Sequence, residues 1–378
     1  SNSGRTAEIL CVLYEKRIFL CCGTQGSAGS RIIRRIFLAT IKEIAEKAGV
    51  STTTVSNVIH GKTKKVSPAN IEKIQNLIKE MGYVQKMGLR VLRHGNSRLI
   101  AVVINSHKKF DEAILADPFY GKILGFIEEK IRTLGYYMMF YSADNLDDIF
   151  RMVMAWDIDG VVTLSFTKRD CEKMYYMIEK PVVSIDAYGE LEGNQIVPNI
   201  GLDDISGGYM MTQYLLNIGY DQIFVCASRD HGVDHMRWEG AQQALGHFRQ
   251  REAKVYFMAL GRSRSEREKH YAELVSQIPF AKKTAAFFLS DLFAIEAMSF
   301  LADRKIKVPE QIGIAGYDDI NYARYTTPKL TTVHQNIKER AVKAVDTLIS
   351  LIEQKEGEFP DLEMEFRFPV TLITRQSV

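Results

Sequence analysis

Residues 39–61 read ATIKEIAEKAGVSTTTVSNVIHG, and this stretch decides the fold of the N-terminal part of the chain. Thr40 followed by Glu43 is a capping box, in which each side chain satisfies a backbone N–H that a first helical turn leaves unpaired. A helix is therefore expected from Ile41. Ile41, Ile44, Ala45 and Ala48 recur at helical spacing and make one apolar face. Gly49 ends the helix, because glycine takes the left-handed cap conformation without a Cβ clash. Only Val50 separates it from Ser51, the N-cap of a second helix expected over Thr52–Ile59, with Val55, Val58 and Ile59 pointing inward. Two short helices across a glycine turn form a helix-turn-helix.

Ser67-Pro68 opens a third helix, with serine as cap and proline at the first position. Ile71, Ile74, Ile78 and Met81 form its core stripe, and Gly82 closes it. Three helices of this size share one small core and leave the outer face of the second free to enter a DNA major groove. On that face stand Thr52, Thr53 and Asn57. Asparagine can bond bidentately to adenine, and threonine offers a hydroxyl and a methyl for thymine. Ser51, Thr54, Ser56, Lys64 and Lys65 suit phosphates, and Thr40 and His60 are grouped with them as DNA-facing. The plainer alternative is a wet helix with ordinary polar residues; helix lengths, turn and charge together favour the functional reading.

Charge supports this division. Residues 40–98 hold eleven Lys/Arg against four acids, +7 in a chain whose net charge is +3. Residues 1–39 add +4, so the remaining 280 residues carry −8. A basic module on an acidic body points to a polyanion partner for the module alone. The longest apolar runs, such as Leu99–Asn105 and Tyr136–Tyr141, are too short to cross a bilayer. The five cysteines (Cys11, Cys21, Cys22, Cys171, Cys226) form neither a disulfide nor a zinc pattern, which fits a reducing cytoplasm. Residues 1–38, Cys- and Arg-rich with a Gly/Ser patch, are expected to be a non-native or read-through extension upstream of a start near Leu38.

The headpiece pattern Thr40-Ile41-x-x-Ile44-Ala45-x-x-Ala48-Gly49-Val50-Ser51-x-x-Thr54-Val55-Ser56-x-Val58 resembles the lactose-repressor/galactose-repressor family. The likeness continues through Val66-Ser67 and Met81-Gly82-Tyr83. It implies base contacts by Thr52, Thr53 and Asn57, and a hinge over 84–98 that folds on operator DNA. There Leu92 matches a leucine that wedges into the minor groove, and Arg90 and Arg93 could hold phosphates. The hinge departs from the family pattern at Gln85-Lys86 and Leu89, and Gly88 weakens its helix propensity, so a flexible basic linker is the alternative.

From Leu99 onward strands and helices alternate. Strands are expected at Leu99–Ile104, Tyr136–Tyr141, Gly160–Leu164, Val182–Asp186, Asn199–Asp203, Gln222–Ala227, Ala285–Leu289 and Ile312–Tyr317. Helices fall between them, for example over Tyr120–Leu134, Ser206–Leu216, Arg237–Gln250, Leu292–Arg304 and Ile337–Glu353. This alternation makes the chain α/β, with doubly wound parallel sheets that bind ligands beyond the strands' carboxyl ends. The resemblance extends over the body through Asp117-Pro118-Phe119-Tyr120, Asp159-Gly160-Val161-Val162, Gly316-Tyr317-Asp318-Asp319 and Pro328-x-Leu330-Thr331-Thr332-Val333-x-Gln335. It implies a periplasmic-binding-protein-like domain over 99–378, after a DNA-binding domain over 39–83. The first lobe is expected at about 99–200 and 332–353 and the second at about 201–331 and 354–378, with crossings near Ile200, Thr331 and Glu353. By motif, Arg237 and Asp291 carry over as effector-binding residues suited to vicinal hydroxyls; the alternative for each is an inter-lobe ion pair. Phe119, Tyr120, Phe166 and Trp238 are candidates to stack on a sugar ring or a base.

Asp230-His231-x-x-Asp234-His235 has metal-like spacing, but a hydrophilic loop that touches effector is the stronger reading, and no metal or cofactor is expected. No nucleophile elbow, phosphate loop or paired catalytic carboxylates occur, so no catalysis is expected. The expectation is a cytoplasmic, homodimeric repressor that binds near-palindromic operator DNA and responds to a small molecule, a sugar before a purine. The first-lobe helices with Ile337–Leu351 are its expected dimer face, and it has no membrane partner. Rival readings are control by a protein co-repressor and, further off, a solute-binding protein.

Overall fold

The computed structural model describes residues 40–59, 61–81, 83, 97–106, 113–191, 193–228, 231–277, 282–354 and 363–378. The chain divides into two compact units between Lys86 and Met87.

The first unit holds three helices: α1 (Ile41–Ala48), α2 (Thr52–Ile59) and α3 (Pro68–Glu80). Both halves of the capping box form at Thr40 and Glu43, and Gly49 has φ 71°, the left-handed value its missing Cβ permits. Ser51 accepts the Thr54 N–H at 3.1 Å, and Ser67 accepts that of Asn70 at 3.4 Å. Ile44, Ala45, Ala48, Val55, Val58 and Ile74 form the shared core, with Ile41, Ile59, Ile71, Ile78 and Met81 against it. Gly82, expected to close α3, lies outside the described residues.

The second unit contains two six-stranded sheets. The first has the order β11-β5-β4-β3-β1-β2, and all its pairings are parallel. Its strands are β1 (Leu99–Asn105), β2 (Tyr137–Ala143), β3 (Gly160–Leu164), β4 (Val182–Ile185), β5 (Asn199–Leu202) and β11 (Glu365–Phe368). The second sheet has the order β12-β10-β9-β8-β6-β7, with β12 alone antiparallel. It comprises β6 (Gln222–Ala227), β7 (Lys254–Ala259), β8 (Thr284–Phe288), β9 (Gly313–Asp318), β10 (Thr331–Gln335) and β12 (Val370–Ile373). Around the first sheet lie α4 (Pro118–Thr133), α5 (Leu146–Met154), α6 (Lys168–Ile178) and α11 (Ile337–Ile352). Around the second lie α7 (Asp204–Asn217), α8 (Val233–His247), α9 (Arg264–Ser276) and α10 (Asp291–Asp303).

The central strands β1, β3, β4, β6, β8 and β9 are buried almost throughout, which is why they read as continuous apolar runs. The chain changes sheets at Asp203, at Asn336 and at Pro369, between β11 and β12. The crossing expected near Thr331 thus comes after β10. The one expected near Glu353 falls at Pro369, because Glu365–Phe368 pairs with β5 in the first sheet. Within the expected dimer segment Ile337–Leu351, one face of α11 is used inside the lobe: Ile337, Ala341, Ala344, Val345 and Leu348 are buried in the core it shares with α4 and the first sheet.

Candidate functional site

Two surfaces bear on function, one in each unit. On the headpiece, α2 buries Val55 and Val58 and turns Thr52 and Thr53 to solvent, with Asn57 half-buried on the same helix. The period of 3.6 residues requires this, since Val55 and Val58 take the inner face. Ser51 and Thr54 are joined hydroxyl to hydroxyl at 2.9 Å. Lys64 and Lys65 stand exposed on the single 3-10 turn Thr63–Lys65 that follows. Thr40 is exposed at the head of α1, and Ser56 is half-buried. His60, Arg90, Leu92 and Arg93 lie outside the described residues, as does most of the hinge.

On the body, a cavity opens between the lobes at the carboxyl ends of the strands, where doubly wound sheets leave room for ligands. It holds about 770 Å³ not filled by protein atoms, part of it open to solvent. Ser165 and Asp186 enter it just after β3 and β4; Ser228, Leu289, Asp318 and Gln335 enter from the ends of β6, β8, β9 and β10. Three of these lining residues, Ser165 (φ 61°), Asp186 (φ 56°) and Asp318 (φ 113°), have left-handed backbones without being glycine. Such conformations are unfavourable and persist only where the surroundings over-determine them, as at ligand sites.

Arg237, on α8, lines the cavity and is 6% exposed. It donates to Asp204 at 2.7 Å and to the Leu289 carbonyl at 2.8 Å, and its guanidinium lies 3.7 Å from the centre of the Tyr317 ring. Asp204 is pushed up to about 6, burial outweighing the pull of Arg237. Asp318 is pushed up to about 7, again chiefly by burial, although Arg237 and the amide of Gln335, donating at 2.6 Å, favour its charged form. Gln335 accepts in turn from Arg340, which is fully buried and ion-paired with Asp186. The chain Asp186–Arg340–Gln335–Asp318 thus links the strand ends of the two lobes along the wall of the cavity.

The sequence-expected cleft residues separate into two groups. Phe119, Tyr120 and Arg237 line the cavity. Phe166 does not: it is fully buried in the first-lobe cluster with Val161, Cys171 and Met174. Trp238 points the other way from Arg237 on α8, as adjacent helical residues must, and packs on Phe257 with ring centroids 5.5 Å apart. Asp291 is completely buried behind the cavity wall. It accepts from Thr332 at 2.6 Å and from the Ile320 N–H at 2.9 Å, and burial raises it well above the ordinary carboxylate range. It anchors the loop after β9. Asp117, Asp186, Tyr188 and Asp318 line the cavity without having been singled out as effector contacts, and Asp234 lines it from the segment read as a loop that touches effector. Asp117 and Asp318 sit in motifs already read as family signatures, so their place at strand and helix ends was the available signal. Among the described residues no His/Cys/Asp/Glu group could hold a metal; Asp230 lies outside them. Cys171 and Cys226 are buried and free, and burial raises both thiols, Cys171 to about 12, so neither resembles a reactive thiolate.

No helix among the described residues is long and apolar enough to cross a membrane. Residues 40–86 match the model of bacterial regulatory proteins of the lacI family, and residues 212–378 match a periplasmic binding protein-like domain. The chain is 27% identical over 354 residues to the HTH-type transcriptional repressor PurR of Haemophilus influenzae, covering 90% of this chain and 99% of that protein. It is 28% identical over 352 residues to PurR of Actinobacillus pleuropneumoniae, covering 90% and 98%. Among solved structures, the transcriptional regulator CelR in complex with cellobiose aligns with a TM-score of 0.62 at 25% identity, over 90% of this chain and all of that one. The lac repressor dimer bound to operator and an anti-inducer aligns with a TM-score of 0.74 at 21% identity, over 90% and 98%, a likeness of fold. With its capped helix-turn-helix and its two-lobed cleft, the chain joins a DNA-binding domain of the bacterial regulatory lacI family to a periplasmic-binding-protein-like domain.

Proposed function

We propose that the protein is a transcriptional repressor that reads operator DNA with α2 and is controlled by a small molecule held between the lobes. The observation that carries this reading is the division of α2: Val55 and Val58 are committed to the core, while Thr52 and Thr53 remain exposed on a helix followed by an exposed lysine-bearing turn. Thr52, Thr53 and Asn57 are assigned to base edges. Thr40, Ser51, Thr54, Ser56 and Lys65, with His60, Arg90 and Arg93, are assigned to the backbone, and Leu92 to a minor-groove wedge. Each headpiece spans few base pairs, so a homodimer on a near-palindrome supplies the specificity. Leu115, Leu134 and Tyr137, exposed around α4 and the edge strand β2, are apolar surface available to the second copy. The effector is a sugar, in line with the cellobiose complex of CelR, and the protein works in the cytoplasm as a regulator without catalysis.

The test is selection of operator sequences from a random duplex pool with the full chain, followed by titration across ionic strength with and without sugars. The expected result is a near-palindromic site, bound with steep salt dependence and modulated by at least one sugar. Equal affinity for selected and random duplexes at every salt concentration overturns the repressor reading.

A further inference from the structure

The hinge expected over 84–98 enters the body at Ser97 and Arg98, and one side chain holds both of these residues. Asp159, the residue before β3, accepts the Ser97 N–H at 3.0 Å and the Ser97 hydroxyl at 3.1 Å through Oδ1, and the Arg98 N–H at 2.8 Å through Oδ2. The main chain adds two more bonds. The Asp159 N–H donates to the Leu99 carbonyl at 2.8 Å, and the Tyr137 N–H to that of Arg98 at 2.7 Å. Ser97 and Asp159 are both buried, so water competes little for these groups.

β1 pairs with its neighbours from Leu99 onward, so strand pairing does not dictate the course of the two residues before it. Arg98 nevertheless has a left-handed backbone, φ 53°, which an arginine keeps only where its surroundings over-determine it. The chain therefore leaves the body on a fixed bend. That bend is referenced to β1 and β3, adjacent central strands of the first sheet that are buried almost throughout. The plainer role for Asp159 is a staple between these two strands. A staple would bond within β1; here both carboxyl oxygens go to residues that precede it.

We propose that Asp159 is a positioning residue for DNA recognition: it fixes the direction in which the chain leaves the body toward the DNA-binding domain, and with it the half-site separation that a dimer accepts. This rests on the repressor reading. One base pair added between half-sites moves them apart by about 3.4 Å and turns one against the other by about 35°. A connection held in one direction discriminates against that change, whereas a free one follows it but must first be ordered on the DNA.

The experiment uses the full chain and its selected operator, with duplexes in which the half-site separation is changed by one and two base pairs in each direction. Fluorescence anisotropy gives the affinity for each, and circular dichroism with thermal unfolding shows whether each variant is folded. The unaltered chain is expected to lose about tenfold or more for a change of one base pair. Asp159→Asn, whose amide cannot accept at both positions, should bind the best duplex about tenfold more weakly and vary by less than about threefold across the series. Should that variant not fold, Ser97→Ala, which removes only the hydroxyl bond, is read in its place, and it should flatten the series in part. A folded variant that keeps the spacing profile of the unaltered chain, whatever its stability or overall affinity, reduces Asp159 to a staple and overturns the proposal. So does an unaltered chain indifferent to spacing, although the repressor reading then stands. If the unaltered chain prefers no duplex over random DNA, that reading falls and this proposal with it.

Discussion

Arg340, buried at the start of α11 in the first lobe, donates to the side chain of Gln335 at the end of β10 in the second. On the far side of Arg340 stands Asp186, and on the far side of Gln335 stands Asp318. Both aspartates line the cavity, so the two ends of a link between the lobes are within reach of an occupant. A ligand that draws on either carboxylate changes what holds the lobes at this angle. By linkage, the same coupling makes effector and operator alter each other's affinity equally.

Arg340→Met removes the charge that answers Asp186, a half-buried residue of the cavity lining. A loss of about 1–3 kcal/mol is expected, because the carboxylate and Gln335 each lose a partner while solvent reaches the carboxylate only in part. Denaturant unfolding of the body measures it, and adding Asp186→Asn should recover part of the loss.

Asn57→Ala is expected to weaken binding to the selected operator by about 1–3 kcal/mol and to leave affinity for random duplex nearly unchanged. Fluorescence anisotropy on both duplexes reads this out, with circular dichroism to confirm that α2 is intact. An equal loss on both duplexes would reassign Asn57 to the backbone.

Lys65→Ala should act differently. A lysine that neutralises a phosphate contributes without regard to sequence, so affinity should fall on all duplexes. The slope of log affinity against log salt should become shallower by about one.

Gly208→Ala tests the packing under the cleft. A Cβ at Gly208 would lie 1.9 Å from the Arg237 carbonyl oxygen, and one at Gly240 equally close to that of Ile205, so α7 and α8 meet through these glycines. The added methyl should cost about 1–3 kcal/mol or more. It should also shift Arg237, seen as weaker effector binding in the folded fraction.

Effector affinity should depend on pH through Asp318, which sits near 7 in a setting that includes Arg237, Asp117, Asp234 and Gln335. A ligand hydroxyl that donates to this group needs the carboxylate. Binding should therefore release a proton, strengthen as pH rises from 6 to 8, and weaken by up to about tenfold per unit below 7. Titrations in that range check the sign, and Asp318→Asn should flatten the profile.

Local physics made much of this protein legible from its residues. Thr40 and Glu43, Gly49, Ser51 and Ser67 set helix ends through bonds made within four residues, and every helix they bound in the headpiece is found there. The eight expected strands all form, with ends moved by at most two residues, because strands covered on both faces must be apolar throughout. The strands that escaped notice, β7, β10, β11 and β12, all lie at or next to sheet edges, where alternating or polar residues are tolerated. What the amino acids alone determined was the two-part plan and the groups that could face DNA. Which side chains meet in the cleft was decided by tertiary structure. Arg237 and Trp238 are neighbours in sequence, yet a turn of 100° per residue sends one into the cavity and the other into the core. Asp186 and Asp318 lie 132 residues apart and are linked through Arg340 and Gln335 because two sheets end at the same crevice, a fact that no spacing along the chain encodes.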